Sequence, residues 1–121
     1  NYIKKRRVIA KIYDKELKDT SLVLPNQSKT TFDVYHLYNV FHTKRDQIMK
    51  LLYKSGIQTR IIYPYPIHKM SGYKKIFKNK RFPESEIKSK GIFSLPIYPN
   101  LKIEEAKLIC KKLNQILVNL K

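Results

Sequence analysis

Residues 32–62, FDVYHLYNVFHTKRDQIMKLLYKSGIQTRII, carry the alternation that decides the fold. Over residues 32–42 the side chains repeat with period two. Val34, His36, Tyr38 and Val40 fall on one face and Tyr35, Leu37, Asn39 and Phe41 on the other. Both faces are semi-apolar, so the pattern predicts a central strand. Thr43-Lys44-Arg45-Asp46 then has the form of a capping box, with Asp46 in the Glu/Gln position, where a carboxylate also suits the helix dipole. A helix is expected next, burying Ile48, Leu51 and Leu52 and ending at Ser55-Gly56. The β-branched run at 57–62 predicts a further strand of the same sheet.

Outward from this centre, SLVLP at 21–25 reads as a short strand closed by Pro25, and NQSKTT at 26–31 as loop or hairpin arm. The segment up to about Leu17 predicts an amphipathic helix. Ile3, Val8, Ile9, Ile12 and Tyr13 make its apolar side, and Lys4, Lys5, Arg6, Arg7 and Lys11 a solvated one. Beyond His68, Gly72, Pro83, Gly91, Pro96 and Pro99 break the chain into short helical pieces and one strand around Ile92–Leu95. Pro83 followed by Glu84 and Glu86 suits a first helical turn. Residues 102–121 predict a helix with Ile103, Ala106, Ile109, Cys110, Leu113, Ile116, Leu117 and Leu120 on one face. The alternation gives a compact α+β layer.

A length of 121 residues with 42% hydrophobic side chains suits one domain, residues 1–121, around a modest core. The 26 Lys and Arg against 9 Asp and Glu give a net charge of +17, which points toward nucleic acid or another anionic partner. The basic residues are spread over every segment, however, as a general Lys/Ile-rich bias would spread them. A single cysteine, Cys110, excludes an internal disulfide and a Cys-based zinc cage, and a reducing, cytoplasmic setting fits. No run approaches the roughly 20 apolar residues of a membrane span, so no membrane partner is expected. The chain opens without methionine and in mid-helix pattern, which points to a fragment of something longer.

The candidate contact surface is GIQTRIIYPYPIHKM, residues 56–70. Pro64 and Pro66 fix their own φ and push Tyr63 and Tyr65 into extended geometry, so two phenols stand on short tethers with His68 close behind. The competing reading is a turn whose tyrosines cover the edge of the core. His36 and His42 do not make a metal pair, because six residues of strand separate them by roughly 20 Å. The chain shows no glycine-rich phosphate loop, no Cys-x-x-Cys or His-x-Glu spacing and no nucleophile elbow, so no catalytic or metal-ligating residue is assigned. Cys110 on an apolar stripe reads as a buried, inert thiol. The residues alone support a basic α+β domain.

Taken in order, RRVIAKIYDKEL, VYHLYNV followed by RDQIMKLLYKSGIQT, IYPYPIH, FPESE and SLPIYPNLKIEEAKLICKKL carry a more specific likeness. Together they resemble the C-terminal domain of the DegT/StrS family, pyridoxal-phosphate-dependent sugar aminotransferases of type I fold, over nearly the whole chain. The resemblance implies a small, mostly antiparallel sheet covered by helices. It also implies a parent enzyme that moves an amino group, usually from glutamate, to a keto group on a nucleotide-linked sugar, and that works as a homodimer in polysaccharide or glycan precursor biosynthesis. Pyridoxal phosphate would serve the full-length enzyme, with its Schiff-base lysine in the large domain preceding this segment. None is expected to bind this chain by itself, which would be inactive alone.

By the same resemblance, Tyr63 matches the tyrosine of a His-Tyr-Pro segment that contacts the sugar nucleotide. Ile62 stands where the family commonly has histidine, and His68 matches a later family histidine. The expected substrate-side residues are therefore Tyr63, His68 and Ile62. The rival reading is a stand-alone basic module, either regulatory or binding nucleic acid through its charge and Tyr35, Tyr63 and Tyr65.

Overall fold

The computed structural model describes residues 1–26, 28 and 30–120. Helix α1 (Tyr2–Leu17) is followed by strand β1 (Tyr38–Phe41), helix α2 (Arg45–Lys54), a 3-10 turn at Ile67–Lys69, helix α3 (Pro83–Gly91), strand β2 (Ile92–Leu95) and helix α4 (Ile103–Val118). β1 and β2 pair antiparallel, with Tyr38 opposite Leu95 and Val40 opposite Phe93. Single antiparallel bridges flank them, Val23 to Phe41 on one side and Arg60 to Ser94 on the other. β1 is therefore central, and the fold is the expected α+β arrangement of helices around a small antiparallel sheet.

Tyr38 and Val40 of β1 and Phe93 and Leu95 of β2 share one core with Ile9, Tyr13 and Leu17 of α1, Ile48 and Leu52 of α2, and Ile109 and Leu113 of α4. Each such side chain contributes roughly 1.5–3 kcal/mol when fully buried, so this cluster fixes the helices against the sheet. Three tyrosines sit inside it. The Tyr38 ring lies 4.9 Å from Tyr13 and 6.0 Å from Tyr35. The Tyr13 hydroxyl donates to Pro96 O at 2.6 Å and that of Tyr38 to Asp14 Oδ1 at 2.7 Å, which satisfies both buried phenols. Burial raises both phenol pKa values, so they remain neutral donors.

The strand expected over 32–42 is only four residues long, and the reason lies in α1. The Asp33 carboxylate accepts the Tyr35 N–H at 2.6 Å, closing a local turn, and Tyr35 takes the left-handed conformation with φ 49°. The Arg6 guanidinium donates to the carbonyls of Tyr35 and His36, each at 2.9 Å, and to Ile97 O at 3.3 Å; Arg7 donates to Asp33 O at 2.6 Å. These arginines, expected to be merely solvated, supply the hydrogen bonds that a neighbouring strand would have supplied. The expected two-face alternation fails accordingly. His36 is exposed, whereas Tyr35 is buried and is no surface aromatic for nucleic acid.

The capping box at Thr43 is not formed. Helix α2 begins one residue later, with Lys44 as N-cap. His42 Nδ1 accepts the Lys44 N–H at 2.9 Å and His42 O the Arg45 N–H at 3.1 Å, while Asp46 Oδ1 accepts from Arg45 Nε. The far end of α2 closes as expected on Gly56, φ 78°, with Gly56 N–H bonded to Tyr53 O and Ile57 N–H to Leu52 O. The apolar faces are narrower than expected, since Ile3 and Val8 of α1, Leu51 of α2 and Ile103 of α4 are exposed. The strands expected at 21–25 and 57–62 shrink to the bridges at Val23 and Arg60. Ile92–Leu95 and the Pro83 helix start hold. Gln27 and Lys29 of the expected loop, and Lys121 of the expected last helix, lie outside the described residues.

Candidate functional site

After the Arg60 bridge the chain leaves the sheet at Ile62, which is half-buried, and the Ile62–Tyr63 peptide bond is cis. Tyr63 and Tyr65 are 70% and 64% exposed, so within this domain the phenols do not seal the core. With Ile67, Phe82 and Lys88 they line a largely apolar groove of about 500 Å³ between the loop and α3. A small number of polar groups on an apolar concavity is the usual composition of a small-molecule site.

His68 is held behind this groove. Its side chain is buried, its ring lies 4.9 Å from that of Phe82, and its Nε2 is 3.2 Å from Glu86 Oε1. Glu86 also accepts from Lys69 Nζ at 2.9 Å and from the Phe82 N–H at 3.4 Å. These contacts, the Lys69 bond foremost, hold the Glu86 carboxyl down at about 2. The resemblance offered His68 as a substrate-side residue. The structure pairs it with a carboxylate on α3, so the ring ties the loop to that helix.

The structure thus brings Tyr63 and Ile62 to the groove with His68 forming part of its wall. Sequence reading missed Phe82, Phe77 and Glu86. In the sequence Glu86 reads only as a helix-start carboxylate, and Phe82 carries no signal beyond preceding Pro83. Among the described residues no three His, Cys, Asp or Glu side chains gather as a metal set. Cys110 is buried on α4, and burial, with Glu16 adding to it, raises its thiol to about 12, far from a nucleophile's range. No helix of the described residues is long and apolar enough to cross a membrane.

Residues 1–114 match the profile of the DegT/DnrJ/EryC1/StrS aminotransferase family. The chain belongs to that family. A family relative from Geobacillus stearothermophilus, named a pleiotropic regulatory protein, is 29% identical over 93% of this chain and 31% of its own length. The dTDP-3-amino-3,6-dideoxy-alpha-D-galactopyranose transaminase of Aneurinibacillus thermoaerophilus is 32% identical over 92% of this chain and 30% of its own. The structure of NtdA from Bacillus subtilis, with the cofactor PMP bound, superposes with a TM-score of 0.84 at 25% identity, covering 97% of this chain and 28% of that one. The chain therefore spans about a third of the length of the curated relatives it matches. The DegT family is pyridoxal-phosphate-dependent, and several of the relatives matched here, the Aneurinibacillus one among them, are named as nucleotide-sugar transaminases.

Proposed function

We propose that this chain is the C-terminal, substrate-side and dimer-forming domain of a pyridoxal-phosphate aminotransferase acting on a nucleotide-linked keto-sugar for polysaccharide or glycan precursors. The observation that carries the reading is Tyr63. By the resemblance it stands at the tyrosine of the family's His-Tyr-Pro segment, and its side chain is largely exposed in the lining of the apolar groove. There the hydroxyl can donate to or accept from a sugar hydroxyl or a diphosphate oxygen, and the flat ring can cover the sugar. Ile62 gives the groove an apolar wall where an imidazole would give a donor. His68, through Glu86, keeps the Tyr-bearing loop against α3 so that the phenols are presented in one geometry.

The cofactor's seat needs a lysine beside the reacting centre, an acid for the ring nitrogen and a phosphate cradle. The described residues do not fit it: every described lysine is exposed except Lys112, which is half-exposed. Pyridoxal phosphate, which supplies the electron sink for amino transfer, is accordingly assigned to the rest of a longer protein. Substrate, amino donor and a second subunit are the expected partners.

The test is to express the full-length protein that carries this chain, supply pyridoxal phosphate and glutamate, and offer keto-sugars linked to dTDP, UDP and GDP. Amino-sugar formation detected by mass spectrometry supports the reading. Failure across the panel overturns it and favours a regulatory role of the kind that names the Geobacillus relative.

A further inference from the structure

The helical turns between the Tyr-bearing loop and α3 present a surface that neither the core nor the groove uses. Lys74 N–H is bonded to Met70 O at 2.9 Å and Phe77 N–H to Tyr73 O at 3.1 Å, so the segment winds with the bonding pattern of an α-helix. Residues three and four apart share a side, which places Tyr73, Ile76 and Phe77 on one side and Lys74, Lys75 and Lys78 on the other. Phe77 is turned inward, edge-on to Phe82 with ring centroids 5.9 Å apart. Tyr73 and Ile76 are left 49% and 71% exposed, and neither lines the groove.

The charge around them is locally concentrated. Residues 69–82, KMSGYKKIFKNKRF, carry six Lys and Arg and no Asp or Glu. This +6 in 14 of 121 residues is about three times what an even spread of +17 would give, so a chain-wide lysine bias does not account for it. Lys69 and Arg81 reach Glu86 of α3, whereas Lys74, Lys75, Lys78 and Lys80 make no ion pair among the described residues. An exposed isoleucine and an exposed tyrosine are therefore set among uncompensated cations.

Three kinds of partner would meet such a surface differently. A protein wall would have to desolvate the ammonium groups, which is costly without matching carboxylates. Nucleic acid would take up the charge and stack on Tyr73, but it gives an isoleucine little to bury against. An anionic lipid surface rewards both parts. Its headgroups attract the lysines, whose long stems let the charges stay in water, while Ile76 and the Tyr73 ring enter the boundary with the acyl chains. Tyrosine suits that depth because its ring is apolar and its hydroxyl is not. That no described helix is long and apolar enough to cross a bilayer does not bear on this, because lying on the surface needs no span.

We propose that the turns at 69–82 dock this chain on an anionic phospholipid surface, with Tyr73 and Ile76 inserted and Lys74 and Lys75 beside them on the headgroups.

The experiment measures partition onto vesicles. The full-length protein that carries this chain is sedimented at physiological salt with vesicles of phosphatidylcholine, with and without phosphatidylglycerol. Wild type is compared with Lys74→Gln/Lys75→Gln, with Tyr73→Ser/Ile76→Ser, and with Lys107→Gln/Lys111→Gln, which removes the same charge from the exposed side of α4. All six side chains are exposed, so each variant should fold, and its melting curve checks that it does. Wild type is expected on the anionic vesicles and not on the neutral ones. Each patch variant should partition about tenfold more weakly, with the α4 variant within about twofold of wild type. No wild-type binding to anionic vesicles, an equal loss in the α4 variant, or full binding by Tyr73→Ser/Ile76→Ser overturns the proposal. Vesicles left unbound while duplex DNA or RNA is held at physiological salt, and released by the lysine variant, would assign the surface to nucleic acid instead.

Discussion

The Nε2 atom of His68 lies 3.2 Å from Glu86 Oε1, joining the loop that carries Tyr63 and Tyr65 to the first turns of α3. The Glu86 carboxyl is held at about 2, against an ordinary 4.5, by Lys69, the Phe82 N–H and His68. Between those two values the unfolded chain binds the proton and the folded chain does not. The contribution to stability is therefore full above about pH 4.5 and falls as pH drops toward 2. Melting curves across that window should fall more steeply for the wild type than for Glu86→Gln, which cannot titrate. Parallel curves for the two proteins would mean that the pairing is electrostatically idle.

Arg6 offers a second test, because one guanidinium holds three carbonyls from two distant segments. Arg6→Ala removes donors from two part-buried acceptors, Tyr35 O and Ile97 O, and an exposed one, His36 O, and should lower stability by about 1–3 kcal/mol. Arg7→Ala, at an exposed contact with Asp33 O and the Phe32 ring, should cost less than about 1 kcal/mol. Denaturant midpoints at unchanged m would give both values. Equal effects from the two substitutions would remove the special role of Arg6.

The same arginine explains what the sequence could and could not show. Helix existence was legible because apolar residues recur at helical spacing in α1, α2 and α4, and the Gly56 stop and Pro83 start follow from backbone rules that need no tertiary partner. The strand over 32–42 was overread because period-two alternation continues through a segment whose carbonyls are taken by Arg6 and Arg7, side chains some thirty residues earlier. At the site, the proline-flanked tyrosines stood out locally. The Glu86 partner of His68 did not, since an 18-residue separation leaves no periodic trace.

Tyr63 is the residue on which the proposed role depends. In the full-length protein, Tyr63→Phe keeps the ring and removes one hydroxyl from a residue exposed in this structure, so melting should be nearly unchanged. Loss of a single neutral hydrogen bond in the transition state is worth about 0.5–1.5 kcal/mol, or roughly a 2- to 13-fold fall in kcat/KM. Ile62→His is the complementary change and should shift the preference among sugar nucleotides. A clear drop in Tm with kcat/KM intact would show Tyr63→Phe to be a structural substitution and would remove the residue from the site.

Gly91 gives the sharpest structural prediction, because it ends α3 where the chain turns directly into β2. Its carbonyl accepts the His42 N–H at 3.0 Å, which draws its backbone against the end of β1. A Cβ at this position would lie 2.5 Å from Phe41 Cε2 and 2.7 Å from His42 O. The phenyl ring could rotate away, but the carbonyl belongs to the backbone that starts α2 and cannot yield without disturbing the His42 cap. Gly91→Ala should therefore destabilise by about 1–3 kcal/mol, the usual cost of overpacking. Gly72→Ala is the internal control. Nothing lies within 4 Å of a Cβ there and its φ is not positive, so restricting the unfolded chain should leave stability level or raise it by up to about 1 kcal/mol. Chemical denaturation of both variants decides the matter: a Gly91→Ala protein as stable as Gly72→Ala would show that the α3–β1 approach is looser than these distances require.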